Sequence, residues 1–225
     1  MILMLMGWKP LSNYGRSVFK DNDKAIIVYP HTSYWDFFIF LLYRSVNMDV
    51  MGDFRTLFAI RFFPNWGWFL RGTKCLPIEN KQRGQGQTQL LISKLKDISR
   101  VQIFMSPKGT SSKAVWRTGY YHLARELKWP IVVCGLDYCN HKVAVFDPVV
   151  IDDRPIEPVK LTLTTLFGEI PQLYPENDPD VIYKKPFWSD PSIISDESTE
   201  LVAIFGILLL SFVIAFLSCQ FHTWF

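Results

Sequence analysis

The sequence is poor in cysteine and contains no closely paired cysteines. Its 225 residues include four cysteines, at positions 75, 134, 139 and 219, and no two of them are spaced as Cys-x-x-Cys. Four cysteines are too few for a disulfide scaffold in a chain of this length, and structural zinc sites usually present such pairs. We therefore expect neither a disulfide framework nor a metal site. The 49% content of hydrophobic residues also argues against a disordered chain.

Two widespread motifs for phosphate binding and ester hydrolysis are also missing. No GxxxxGK[ST] segment occurs, which excludes a P-loop, and no GxSxG segment occurs, which leaves little support for a serine hydrolase. The chemistry of this chain must depend on other residues.

Charge is absent from the last 25 residues and unevenly distributed before them. Residues 1–150 contain 20 Lys and Arg against 10 Asp and Glu, whereas residues 151–200 contain 4 against 11. The overall net charge of +3 therefore combines a basic body, an acidic segment and an uncharged tail. A basic face can bind nucleic acid, but beside an apolar tail it favours anionic lipid or a phosphorylated substrate.

The tail has the length and composition of a membrane span. Leu201–Cys219 contains 19 residues without a charge, and as a helix it would extend about 28 Å, close to the thickness of a bilayer core. A buried core helix of this length would normally show a polar face, and this stretch has none. The sequence thus predicts a single-pass C-terminal anchor over 201–221, with the body facing the cytosol, at the endoplasmic reticulum if the source is eukaryotic or viral. Residues 1–23 begin with an apolar stretch too short to span, which either lies at the membrane interface or packs on the body.

Between the two ends, apolar strands alternate with helices. Strands are expected over 25–29, 74–78, 101–105, 130–135 and 143–146, and helices from residue 32 or 33 through 42 and over 56–63, 85–99, 114–127 and 159–168. This alternation predicts an α/β domain over 24–170, with a mostly parallel central sheet flanked by helices. Residues 171–200 hold five prolines and many acidic residues, which favours an extended linker to the anchor.

A histidine and an aspartate follow the first predicted strand. His31 comes directly after the apolar run, and Asp36 comes five residues later, in the first turn of the next helix. The turn can bring the Asp36 carboxylate to one imidazole nitrogen, which leaves the other nitrogen basic at the carboxyl edge of the sheet. A histidine held in this way can take a proton from a hydroxyl group.

A second polar turn follows the strand at 101–105. Gly109 permits close approach of the backbone, Thr110 adds a hydroxyl, and Lys108 and Lys113 add positive charge. Such a turn between a strand and a helix can hold a phosphate. An ordinary turn with solvated lysines is the alternative interpretation.

Taken together, these segments resemble the glycerolipid acyltransferase family, whose members acylate glycerol-3-phosphate or a lysophospholipid. His31 and Asp36 match its first motif, His-x4-Asp, and Pro107–Ser111 stands where its third motif, Pro-Glu-Gly-Thr-Arg, is expected. Gly72–Asn80 corresponds loosely to its second motif, and Trp129–Val133 corresponds to its fourth. The resemblance covers about residues 24–150, in the order that the family shows.

The resemblance implies an O-acyltransferase that needs no metal and no bound cofactor. The acyl group would pass from acyl-CoA or an acyl-carrier protein to a lysophospholipid, with 1-acyl-sn-glycerol-3-phosphate as the expected acceptor. His31 would act as general base, oriented by Asp36, and the acceptor phosphate would contact Lys74, Lys108, Gly109, Thr110 and Lys113. Three positions depart from the family pattern: Asn80, Lys108 and Ser111 replace the usual Arg, Glu and Arg. Whether these replacements reduce the activity or change the acceptor stays open on the sequence alone.

Two other classes of function remain open on the sequence alone. A lipid-binding or membrane-adaptor protein could keep this fold after its phosphate motifs had changed. A single-pass protein could use its basic body to recruit a soluble partner. The aromatic residues Trp66, Trp68 and Phe69 are candidates for the border of an acyl groove.

Overall fold

The computed structural model describes residues 2–5, 7–51, 54–59, 67, 72–78 and 86–184. The chain divides into two compact units, residues 1–187 and 188–225, and all the described residues belong to the first.

Among the described residues, one six-stranded sheet forms the centre of this unit. Its strands are β1 (Lys24–Val28), β2 (Phe54–Ala59), β3 (Leu76–Ile78), β4 (Val101–Met105), β5 (Ile131–Asp137) and β6 (Lys142–Val145), in the spatial order β3-β2-β4-β1-β5-β6. Every neighbouring pair is parallel except β5 and β6, which form an antiparallel hairpin. The expected α/β class with a mostly parallel sheet is therefore confirmed.

Helices cover both faces of the sheet. They are α1 (Ile2–Leu5), α2 (Asn13–Asp21), α3 (Trp35–Val46), α4 (Met48–Met51), α5 (Gly86–Leu95), α6 (Gly119–Leu127) and α7 (Ile156–Gly168), followed by a 3₁₀ turn at Pro175–Asn177. Along β1, Ala25 and Ile27 pack in a core with α2 and α3, whereas Ile26 and Val28 pack in a second core with α6 and α7. Because both faces are buried, the central strands are almost uniformly apolar.

Two predicted helices differ from the structure. The stretch 56–63 was expected to be helical, but residues 54–59 form β2, which pairs with β3 and β4 on its two sides. An almost uniformly apolar run has no clear period, so its pairing partners decide between strand and helix. The helix expected from 114 begins only at Gly119, because the preceding backbone is held by other contacts: Arg117 N donates to Pro107 O and Trp116 N donates to Asp180 Oδ2.

The segments at the two ends of this unit pack on its body. Leu3 and Trp8 are each only 5% exposed and belong to the core that contains α3. The stretch expected as a linker, 171–200, is described only as far as residue 184. That part folds back on the domain, with Gln172 and Asp178 buried and Lys184 N donating to Gly168 O.

The expected membrane anchor at 201–221 lies outside the described residues. Among the residues that are described, none of the helices combines the length and the hydrophobicity that a membrane crossing requires.

Candidate active site

The sequence around His31 forms the turn between β1 and α3. Strand β1 lies at the middle of the sheet, between β4 and β5, so its carboxyl end is flanked by the carboxyl ends of two parallel neighbours. Asp36 lies in the first turn of α3, and the Ser33 hydroxyl accepts a hydrogen bond from Trp35 N, 3.1 Å away, at the start of that helix. In α/β sheets, this edge is where ligands usually bind.

The Asp36 carboxylate is completely buried and holds the whole turn together. Its Oδ2 lies 3.0 Å from His31 Nδ1 and accepts the backbone N–H groups of Thr32, at 2.9 Å, and Ser33, at 3.0 Å. Because this oxygen already accepts two N–H groups as a carboxylate, Nδ1 of the imidazole must carry the proton that points at it. The other nitrogen, Nε2, is then an acceptor.

The imidazole itself is partly accessible. The His31 side chain is 17% exposed, and within the described part of the chain Nε2 has no hydrogen-bond partner. The ring contacts Tyr29, with centroids 5.5 Å apart. Nε2 is therefore available to take a proton from a bound hydroxyl group.

The other oxygen of Asp36 has a partner from a distant part of the sequence. The Tyr138 hydroxyl donates to Asp36 Oδ1 at 2.6 Å, and both side chains are buried. Tyr138 directly follows β5, the strand next to β1. Sequence reasoning missed this residue, and its place after a strand adjacent to β1 is the only signal that pointed to it.

The second predicted site turn follows β4, beside the His31 turn. Gly109 has a φ of +70°, a conformation that glycine adopts most easily, and its N–H donates to Ser106 O at 3.1 Å. The Thr110 hydroxyl accepts a hydrogen bond from Ser112 N at 3.2 Å. Gly109 is exposed, so a ligand can approach this turn.

Lys108 points inward rather than to the surface. It is 1% exposed, and its Nζ donates to the carbonyl oxygens of Asn177, at 2.7 Å, and Ser112, at 3.3 Å. Burial lowers the pKa of Lys108, whereas the carboxylates of Asp178 and Asp36 raise it. The ammonium group that was expected to bind phosphate is thus occupied by backbone carbonyls.

The shorter of the two contacts of Lys108 comes from a segment that crosses both turns, residues 175–180, which we call the crossing segment. Asn177 Nδ2 donates to Thr32 O at 2.9 Å, so the same residue joins Lys108 to the His31 turn. Asp178 accepts from Trp116 Nε1 at 2.9 Å. Burial raises the pKa of Asp178, while Lys108 and Trp116 lower it.

The other predicted phosphate ligands occupy different positions. Lys113 is exposed in the loop after β4, with Arg117 exposed a few residues later. Lys74 has a φ of +57° in the turn before the edge strand β3, which β2 separates from β4. Asn80 lies outside the described residues, as do Trp66, Trp68 and Phe69. Within the described part of the chain, no cluster of His, Cys, Asp and Glu side chains is suited to hold a metal ion.

A small, mostly apolar pocket lies between α3 and the strands β2 and β4. Phe37, Phe40, Phe54 and Phe104 contribute to its lining. Phe40 and Phe104 also pack on Tyr29, the residue whose ring contacts His31. These contacts place the pocket one aromatic side chain away from His31.

Comparison with known proteins agrees with this geometry. A family model described as Acyltransferase matches residues 11–137, which is more than half of the chain and includes both turns. A search of curated proteins finds no match. The chain therefore belongs to the acyltransferase family of the 1-acylglycerol-3-phosphate acyltransferase type.

Proposed function

We propose that this protein transfers a fatty acyl group from an acyl thioester to the hydroxyl of a lysophospholipid. The observation that carries the proposal is the buried contact of 3.0 Å between His31 Nδ1 and Asp36 Oδ2, in a turn that also presents Nε2. Membership of the acyltransferase family supports acyl transfer to a lipid-like acceptor. The identity of the donor, as acyl-CoA or acyl-carrier protein, is part of the proposal.

In the proposed reaction, His31 acts as general base. Nε2 takes the proton of the acceptor hydroxyl while that oxygen attacks the thioester carbonyl carbon. Asp36, fixed by the N–H groups of Thr32 and Ser33, stabilises the imidazolium that forms. The tetrahedral intermediate collapses with cleavage of the C–S bond, and the thiolate leaving group takes the proton from His31. The product ester and the free thiol leave the site, and no acyl-enzyme is formed.

We propose 1-acyl-sn-glycerol-3-phosphate as the acceptor, with its phosphate at the turn after β4. The exposed turn at Gly109, the hydroxyl of Thr110 and the exposed cation of Lys113 support this placement, because a hydroxyl can donate to a phosphate oxygen and a neighbouring cation attracts its charge. Lys74 could add charge from the far side of β2. Lys108 is not included, since its ammonium group already donates to two carbonyls.

The uncharged tail leads us to propose that the protein works at a membrane, anchored by residues 201–221. The apolar stretch Leu201–Cys219 is the support for this proposal. A tethered enzyme meets its lipid acceptor in the phase where that lipid is dissolved.

The test is an acyl-transfer panel with the purified full-length chain. Labelled acyl-CoA is offered with lysophosphatidate, lysophosphatidylcholine and other lysolipids. His31→Ala is expected to lower kcat about 100-fold or more, because the general base is removed. His122→Ala is the matched control, since His122 is an exposed histidine of α6, and it is expected to keep full activity.

The panel also decides between the proposal and its alternatives. A preference for lysophosphatidate supports the phosphate site proposed at Gly109 and Lys113. If wild type transfers no acyl group to any lysolipid, or if His31→Ala is as active as wild type, the enzyme proposal fails. Lysolipid binding without transfer would then favour an adaptor on the same fold.

A further inference from the structure

Tyr138 stands out among the buried polar groups because it contacts the proposed catalytic machinery from outside both motif turns. Its hydroxyl donates at 2.6 Å to Asp36 Oδ1. Among the described residues it is the only hydrogen-bond donor to that oxygen, whereas Oδ2 receives His31, Thr32 and Ser33. Because Asp36 is fully buried, removal of the tyrosine hydroxyl would leave Oδ1 without a protein donor.

The tyrosine is held firmly in this position. Its ring packs edge-on against Trp8, with centroids 5.5 Å apart, and its N–H donates to Pro171 O at 3.2 Å. In the turn that follows β5, Asp137 accepts hydrogen bonds from both the backbone and the side-chain nitrogen of Asn140. The hydroxyl is therefore fixed relative to Asp36 by contacts that do not involve His31.

The proton of this hydroxyl stays in place over the working range of an enzyme. Burial and the nearby Asp36 carboxylate raise the pKa of Tyr138 well above its ordinary value. The hydroxyl consequently donates to the carboxylate at every pH at which acyl transfer would be assayed.

We propose that Tyr138 is a positioning residue, which orients the Asp36 carboxylate and limits how strongly that carboxylate attracts the proton of His31. A hydrogen bond to Oδ1 draws negative charge away from Oδ2, the oxygen that faces the imidazole. Without it, the carboxylate would hold the imidazolium more tightly, and His31 would bind its proton more strongly. His31 would then need a higher pH to lose its proton and so be able to take the proton of the acceptor hydroxyl.

Other charged and titratable groups also act on Asp36. Asp36 interacts electrostatically with Tyr29, His31, Lys108, Tyr138 and Tyr183. Of these, only His31 and Tyr138 form hydrogen bonds with its carboxylate. A change of Tyr138 to phenylalanine leaves the other groups in place, so its effect reports on this hydroxyl.

The experiment compares Tyr138→Phe with Tyr43→Phe. Tyr43 is also buried, packs on the same Trp8 ring and donates its hydroxyl to the carbonyl of Lys9, but it has no hydrogen bond to Asp36. This inference rests on the proposed acyl transfer, for which kcat and KM are measured across pH. For Tyr138→Phe we expect kcat to fall about tenfold with little change in KM, and the acidic limb of the profile to move up by about half a pH unit or more.

Tyr43→Phe is expected to lose stability without moving that limb. The positioning role is overturned if the two variants have the same pH profile as wild type. If Tyr138→Phe does not fold, wild-type protein made with 3-fluorotyrosine provides the reverse test, because fluorine makes the hydroxyl a stronger donor. Its acidic limb should move to lower pH, and an unmoved limb would count against the role.

A second readout does not require activity. In protein with isotope-labelled histidine rings, the His31 signal is identified by His31→Gln and its titration is followed by NMR. The midpoint should be higher in Tyr138→Phe than in wild type and unchanged in Tyr43→Phe. A raised midpoint in a protein that transfers no acyl group would support the positioning role while the proposed function fails, and an unmoved midpoint would overturn the role itself.

Discussion

At the residue scale, the His31–Asp36 pair combines a short sequence spacing with an unusual burial. Asp36 is completely buried, yet both of its oxygens have donors, so the cost of removing the charge from water is offset by hydrogen bonds. The carboxylate is therefore held in one orientation before any substrate binds. That preorganisation is what a general base needs from its partner.

Replacement of Asp36 by asparagine should remove the charge and keep the shape. The amide oxygen can accept the N–H groups of Thr32 and Ser33, and the amide NH₂ can donate to the Tyr138 oxygen. The imidazolium would lose its stabilising charge, so we expect kcat to fall about 100-fold or more. The midpoint temperature of thermal unfolding should stay within a few degrees of that of wild type. A large loss of stability, or an activity near that of wild type, would contradict this account of the pair.

The sequence was sufficient to predict the pair but not the residues that surround it. His31 and Asp36 are five positions apart, and a turn that follows a strand brings such neighbours together. Tyr138 reaches Asp36 across 102 positions and Asn177 reaches Thr32 across 145. No local sequence pattern predicts such contacts, because they depend on which strands and segments pack side by side.

At the scale of elements, contacts between distant parts of the sequence also explain why the local pattern did not predict strand β2 or the burial of Lys108. The run 56–63 is apolar in almost every position, and only its place between β3 and β4 makes residues 54–59 a strand. Lys108 was expected to face a phosphate, because it adds positive charge to a glycine-containing turn between a strand and a helix. The crossing segment covers this lysine and supplies the carbonyl of Asn177 and the carboxylate of Asp178.

The crossing segment should contribute to stability through Asp178. Replacement by alanine leaves Trp116 Nε1 without its acceptor and removes a negative charge that attracts the buried Lys108. The loss of a buried hydrogen-bond acceptor typically costs about 1–3 kcal/mol, so we expect the free energy of unfolding to fall by about 2 kcal/mol. Urea denaturation of the full-length chain measures it.

Glu176→Ala is the matched control for this prediction. Glu176 is an exposed acidic residue of the same crossing segment, and its loss changes the net charge equally. We expect it to change stability by less than about 0.5 kcal/mol. Equal losses in the two variants would show that net charge, rather than the buried contacts of Asp178, determines the effect.

At the scale of the whole molecule, the separation of charge along the sequence is partly cancelled in space. The described part of the acidic stretch, residues 151–184, does not stand apart from the basic body, because Asp180 pairs with Lys160 at 2.6 Å and Asp178 lies near Lys108. Lys113 and Arg117 remain exposed near the site. Their positive charge is therefore available to an anionic surface or a phosphate.

The fold also bears on how the protein would be held at a membrane. Two attachments were conceivable from the sequence, an interfacial N-terminal stretch and the uncharged tail. Leu3 and Trp8 are buried in the core, and Trp8 packs on Tyr43 and Tyr138, so insertion of these side chains into lipid would break contacts next to the site. The proposed anchor is thus left to residues 201–221.

Deletion of residues 201–225 should therefore release the protein from membranes. The uncharged stretch Leu201–Cys219 is long enough to span a bilayer, and its loss removes the apolar surface that would hold the chain there. Membranes from cells that express the full-length or truncated chain are washed at alkaline pH and high salt, and the protein is assayed in pellet and supernatant. An unrelated tail of 19 leucine and alanine residues should restore attachment, since hydrophobicity and length suffice. Truncated protein that stays in the washed pellet would show that another part of the chain, such as the N-terminal segment, binds the membrane.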